Sequence, residues 1–152
     1  MDNITVRPMT VADRQTVQAF FDNMEDKSSR FFNVNHGNEK RVMGHFDKTT
    51  RDHLFFVATD GEELAGIMFI WDLQKSVPWF GIAVSDKFQG RGIGTTMIKY
   101  LSDYLTQNGY GGLLLRTHTE NLPAQRLYEK CGFEKIGVHF SGELLYILRL
   151  DK

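Results

Sequence analysis

Little in this sequence suggests a chain held together by anything other than a packed core. It has one cysteine, Cys131, which excludes an intramolecular disulfide framework and a cysteine-cluster zinc site and suits a reducing compartment. Its three prolines, Pro8, Pro78 and Pro123, are widely spread, and no repeat or low-complexity tract divides the chain. Long hydrophobic runs are missing too. The longest, Leu64 to Trp71, falls far short of the roughly 20 apolar residues that span a bilayer, so no membrane partner is expected. The start, Met1-Asp2-Asn3-Ile4, lacks the basic lead and apolar stretch of a secretory signal, which makes the cytoplasm the expected location. Neither sign of charge is in excess, with 18 Lys and Arg against 19 Asp and Glu. Binding a phosphate backbone by counterion release normally needs a basic surplus, so nucleic acid is not expected as a partner. The five histidines, His36, His45, His53, His118 and His139, never take the close helical spacing or acidic company of a zinc site, and no metal is expected.

What is present is the composition of one globular domain, with 41% hydrophobic and 24% charged residues over 1–152. At this length folding buries roughly two-thirds of the surface the unfolded chain exposes, enough for a core without staples.

Periodicity divides the chain into elements. Ile4-Thr5-Val6-Arg7 alternates like a strand, and Thr10 is positioned to cap a helix carrying Val11, Val17, Phe20, Phe21 and Met24. Lys27 to Phe46 reads as a broken helix, its apolar members Phe31, Phe32, Val34, Val42, Met43 and Phe46 interrupted by Gly37 and Gly44. Leu54 to Ala58 and Leu64 to Trp71 form a hairpin about Asp60-Gly61, and Val77 to Val84 adds a third strand. From Ile93, residues Met97, Leu101, Tyr104 and Leu105 recur at helical spacing up to Asn108-Gly109. Leu113 to Leu115 is a buried strand. Asn121 then caps a short helix containing Pro123, Ala124, Leu127, Tyr128 and Cys131. Two more strands, Phe133 to Phe140 and Leu144 to Leu150, flank Ser141-Gly142. The order β-α-α-β-β-β-α-β-α-β-β is that of an α+β domain with a mixed sheet.

The richest chemistry lies in Gln89-Gly90-Arg91-Gly92-Ile93-Gly94-Thr95, between a strand and a helix. Residues without side chains let backbone N–H groups converge on an anion, and the helix start adds unpaired donors and a favourable dipole. Such a loop suits phosphate. It lacks the Lys-Ser/Thr pair of a nucleoside triphosphatase, and no parallel βαβ unit with a following acidic residue points to a dinucleotide fold.

Downstream, Asn121-Leu122-Pro123-Ala124-Gln125-Arg126-Leu127-Tyr128-Glu129-Lys130-Cys131-Gly132-Phe133 adds a second motif. Together with Ile82-Ala83-Val84 and the glycine loop, it resembles the acyl-CoA signature of the GNAT superfamily of N-acetyltransferases. The resemblance covers essentially the whole chain in layout, with its specific motifs between Ile82 and Phe133. It implies a three-layer α/β/α fold whose mixed, mostly antiparallel sheet of about seven strands is splayed in the middle and flanked by about four helices. Acetyl-CoA is then the implied co-substrate, and an amine-bearing small molecule, peptide or protein the other partner, with a second copy of the chain possible. Gln89, Gly90, Arg91, Gly92, Ile93, Gly94 and Thr95 would bind the pyrophosphate, while Ile82, Ala83 and Val84 would pair with the pantetheine arm, one strand N–H polarising the thioester. Asn121 would contact the cofactor or a water, and Tyr128 would protonate the leaving thiolate.

No glutamate marks the base. Many family members place a glutamate before the glycine loop or on the following strand, where this sequence has Pro78 and Arg116. His118 is the nearest substitute, since imidazole titrates near neutrality, and Glu120 is a weaker one. Ser28 to Phe32 with His36 falls where an acceptor pocket would be built, beside Asp22, Glu25 and Asp26, whereas Cys131 reads as a small core residue. The expected function is direct transfer of an acetyl group to a primary amine in a ternary complex. The alternatives are a CoA-binding module without catalysis, to which the missing glutamate lends weight, and a phosphate-binding interaction domain.

Overall fold

A computed structural model describes residues 3–33, 37–48 and 51–150. β1 (Ile4–Pro8) lies against β2 (His53–Asp60), which turns through Gly61 into β3 (Glu63–Trp71), followed by β4 (Trp79–Val84). Gly61 sits at φ 63°, the left-handed conformation that lets two residues reverse the chain. β5 (Gly112–Thr117), β7 (Leu144–Arg149) and β6 (Glu134–Val138) complete a seven-stranded sheet of order β1-β2-β3-β4-β5-β7-β6. Its pairs are antiparallel except β4 with β5.

Helices cover both faces, which explains why β2 and β3 read as continuous apolar runs rather than alternating ones. On one face Val17, Phe20 and Phe21 of α1 (Arg14–Asp22) and Val42 of α3 (Asn38–Asp47) pack on Phe55, Val57, Ile67 and Phe69. On the other, Met97, Leu101 and Leu105 of α4 (Ile93–Gln107) and Tyr128 of α5 (Leu122–Lys130) pack on Phe56, Met68, Ile70, Leu113 and Tyr146. This is the three-layer α/β/α arrangement that the resemblance implied.

Several boundaries differ from expectation. The broken helix over 27–46 is two helices, α2 (Asp26–Asn33) and α3, giving five helices among the described residues instead of about four. Gly37 caps α3 at φ 53°, a conformation that no continuous helix accommodates; Val34 and His36 lie outside the described residues. Val11 is 84% exposed in a 3₁₀ turn ahead of α1 and takes no part in that helix's apolar face. β4 begins at Trp79 rather than Val77, and β6 ends at Val138. β6 is an outer edge, exposed along its length, with a register shift between Lys135 and Gly137.

Candidate active site

The geometry of β4 creates an opening in the sheet. Trp79 opposite Leu114 is the single register pair joining β4 to β5, and beyond it the strands diverge. Backbone groups alternate in direction along a strand. Since Leu114 N–H donates to Pro78 C=O at 2.9 Å and Ser85 N–H to Ala65 C=O at 2.7 Å, Ile82 and Val84 turn their backbone groups toward the gap. Ala83, paired with Ile67, turns its own toward β3. Among the described residues no strand pairs with Ile82 or Val84 on the open side; the Val84 carbonyl accepts from Gln89 Nε2 at 3.2 Å. A cavity of about 590 Å³ occupies this gap.

One wall is the glycine loop. Gly90 and Gly92 have φ 81° and 80°, conformations that other L-residues resist, and a Cβ at either would meet nothing within 4 Å. Gly92 is the N-cap of α4, whose ladder begins with Thr96 N–H donating to Gly92 C=O. Ile93, Gly94 and Thr95 therefore lead the helix with N–H groups free of an intrahelical partner, and all three residues line the cavity. That is the physical make-up of an anion site, and a pyrophosphate fits its chemistry. Arg91 stands outside the lining, its guanidinium 5.3 Å from the Phe88 ring. Gly94 serves packing: a Cβ there would lie 2.8 Å from Leu127 Cδ2, so the bare backbone brings α4 against α5.

The opposite wall comes from α5. Asn121 caps it, its side-chain oxygen accepting from Ala124 N–H at 3.4 Å, with Pro123 in the first turn. One side of Tyr128 packs on Phe133 and Tyr146, at centroid distances of 5.7 and 6.0 Å, and the residue also lines the cavity. Its hydroxyl makes no hydrogen bond among the described residues. Burial, reinforced by Cys131 and Tyr146, raises its pKa well above the ordinary phenol value and keeps it protonated. Burial also pushes the half-buried Cys131 thiol up, against the nucleophilic thiolate form.

α2 spans the mouth of the gap. Its Ser28 hydroxyl and the preceding Glu25 N–H both donate to the Asp86 carboxylate, just after β4. At its far end Phe31 meets the His118 ring at 5.0 Å, just after β5. Of the acidic residues near this helix, Glu25 lines the cavity, whereas Asp22 and Asp26 are exposed and do not.

His118 is not among the described residues that line the cavity. Its Nδ1 accepts from Glu120 N–H at 3.0 Å, so that lone pair is already engaged by its own loop. A carboxylate that sequence reading did not single out does line it. Glu143, 3% exposed just before β7, accepts from Ser141 Oγ at 3.2 Å, and that oxygen lies 3.0 Å from His139 Nδ1. Arg116, Trp71 and Asn38 line the same space. No local motif marks these residues; β3, α3, β5 and the turn before β7 assemble them.

Comparison with known proteins agrees with this architecture. The model of the acetyltransferase (GNAT) family matches residues 20–133. The chain belongs to that family, whose members use acetyl-CoA. An N-acetyltransferase 8B from Rattus norvegicus is 29% identical over 96 residues, 59% of this chain and 43% of the relative. An uncharacterized N-acetyltransferase, YobR, from Bacillus subtilis is 30% identical over 94 residues, 62% of this chain and 38% of the relative. The chain thus spans about two fifths of the length of these curated relatives. Among solved structures, the PaiA N-acetyltransferase from Thermoplasma acidophilum in complex with coenzyme A shares the fold at TM-score 0.77 and 13% identity, covering 97% of this chain and 99% of that one. Among the described residues no helix is long and apolar enough to cross a membrane.

Proposed function

We propose that this chain moves the acetyl group of acetyl-CoA to a primary amine by direct attack within a ternary complex. The carrying observation is one cavity shared by the open edge of β4, the donor-rich start of α4 and the protonated Tyr128. Amides of the pantetheine arm complement the backbone groups of Ile82 and Val84, as an added strand would. The side chain of Ala83 contributes to the wall. The pyrophosphate belongs over the N–H groups of Gly92 to Thr95, and Asn121 borders the same space.

The Ile82 N–H, turned into the gap, is the donor placed to hold negative charge developing on the thioester oxygen. As the amine nitrogen bonds to the acyl carbon, the C–S bond breaks and the Tyr128 hydroxyl gives its proton to the departing sulfur. Because that sulfur becomes negative only as the bond breaks, the hydrogen bond favours the transition state over the ground state. Glu143 takes the proton that the amine loses, in preference to the expected His118, because it faces the cavity and connects through Ser141 to His139.

The test is release of CoA thiol from acetyl-CoA against a panel of amines, with calorimetric titration of acetyl-CoA alongside. Tyr128→Phe is expected to lower turnover by on the order of 100-fold with acetyl-CoA affinity unchanged. Equal losses in both would make Tyr128 a packing residue. Binding without release from any amine would favour a CoA-binding module without catalysis, and absence of binding would reject the CoA site.

A further inference from the structure

At the end of the cavity remote from the glycine loop, two tryptophans and two arginines converge. Trp71 and Trp79 are cross-strand partners on β3 and β4, their rings 6.2 Å apart and within 14° of parallel. The Arg41 guanidinium, carried by α3, lies 4.3 Å from the Trp71 ring. The Arg116 guanidinium, carried by β5, lies 5.4 Å from the Trp79 ring and 3.3 Å from His139 Nδ1. Trp71 and Arg116 line the cavity, and Arg41 and Trp79, which are outside its lining, pack against them.

Neither arginine has an ion pair among the described residues. Arg41 Nη1 is buried and makes no hydrogen bond, an unusual state for a guanidinium nitrogen. Burial and the neighbouring charge of Arg116 both lower the Arg41 pKa, while Asp52 and Asp72 act in the opposite direction. Two like charges held together on an aromatic floor, with a buried donor left unpaired, raise the energy of the unliganded site. A planar anion relieves each of these costs, because a carboxylate accepts paired hydrogen bonds from a guanidinium fork and neutralises the repulsion.

We propose that the amine acetylated by this chain also bears a carboxylate, bound by Arg116 together with Arg41 against the Trp71–Trp79 pair. This rests on the acyl-transfer reading of the cavity and narrows its acceptor. Glu143, lining the same space, supplies the negative charge that receives the amine end, so the two ends of such a molecule meet opposite charges. Polyamines and aminoglycosides, which are cationic throughout, would bring positive charge to the two guanidinium groups.

The test compares matched acceptors that differ only at the carboxylate: amino acids against their amides, and peptides beginning with Asp against those beginning with Asn. The free carboxylate is expected to raise kcat/KM by on the order of 100-fold, and Arg116→Gln to reduce that preference to a few-fold. Preference confined to amino acids would identify a small-molecule acceptor, and preference confined to Asp peptides a polypeptide one; both carry the carboxylate. Equal rates for acid and amide, or faster transfer to spermidine, would overturn the proposal.

A second readout is independent of transfer. Trp71 and Trp79 are the two tryptophans of the chain, so emission excited selectively at tryptophan reports on this pocket. Carboxylate-bearing amines are expected to change it saturably in the wild type and not in Arg116→Gln, whereas their amides leave it unchanged. Where Arg41→Gln fails to fold, Arg41→Lys keeps the charge, loses the planar fork, and is expected to weaken the response about tenfold. A saturable response without transfer would reject the acyl-transfer reading and leave the carboxylate site standing. Transfer with no carboxylate dependence in either readout would do the reverse.

Discussion

Phenols buried in this core set a pH limit on the molecule. Burial raises the pKa of Tyr128, and burial together with the hydrogen bond to Glu129 pushes Tyr146 up to about 12. In the unfolded chain both would ionise near the ordinary value of about 10. The contribution of these two phenols to stability is therefore level below about pH 10 and falls as pH rises through the raised folded values, because ionisation then favours the unfolded chain. Melting temperatures between pH 8 and 11 are expected to show that fall, with a shallower one in Tyr128→Phe. At Glu143 the expectation concerns rate: Glu143→Gln keeps the shape and lowers kcat by on the order of 100-fold, whereas His118→Ala changes it by less than about twofold. That Gly92, Asn121 and Tyr128 share one cavity was legible in sequence because their places follow from short contiguous segments. Glu143, Trp71 and Arg41 were not, since they lie on separate parts of the chain and become neighbours of Arg116 only through the order of the sheet.

The elements divide by how local their causes are. The β2–β3 hairpin and the helix from Ile93 were readable from continuous apolar runs, helical period and the glycines at Gly61 and Gly109. The stretch from residue 27 to 46 misled because helical spacing runs through both α2 and α3, and the left-handed backbone at Gly37, which starts α3 afresh, leaves no mark on that spacing. Glycines with different surroundings give contrasting expectations. A Cβ at Gly112 of β5 would lie 2.7 Å from the Leu148 carbonyl of β7, a backbone atom that cannot swing aside. Gly112→Ala is expected to cost about 1–3 kcal/mol in urea unfolding. Gly44, inside α3, has nothing within 4 Å of the Cβ position, and Gly44→Ala is expected to add about 0.5–1 kcal/mol.

On the scale of the whole molecule, the sheet has two parts, β1 to β4 and β5-β7-β6, joined at one register pair and clasped by helices on both faces. A ligand that fills the gap contacts both parts and is absent from the unfolded chain's interactions. Acetyl-CoA at 100 times its Kd should stabilise the fold by about 2.7 kcal/mol, raising Tm by roughly 5–10 °C for a domain of this size. Thermal denaturation with and without acetyl-CoA checks this, and Gly92→Asp, which brings a carboxylate to the proposed pyrophosphate site, is expected to abolish the shift.

The outer edge has a different consequence. Along β6 and just beyond it, Ile136, Val138 and Phe140 are 48%, 67% and 97% exposed, an apolar row beside unpaired backbone groups. A regular strand with that profile would template the addition of further strands and seed fibrils. Gly137, at φ 155° beside the register shift, breaks the even hydrogen-bond spacing on which such growth depends. The irregularity that bends β6 is therefore also its protection against amyloid.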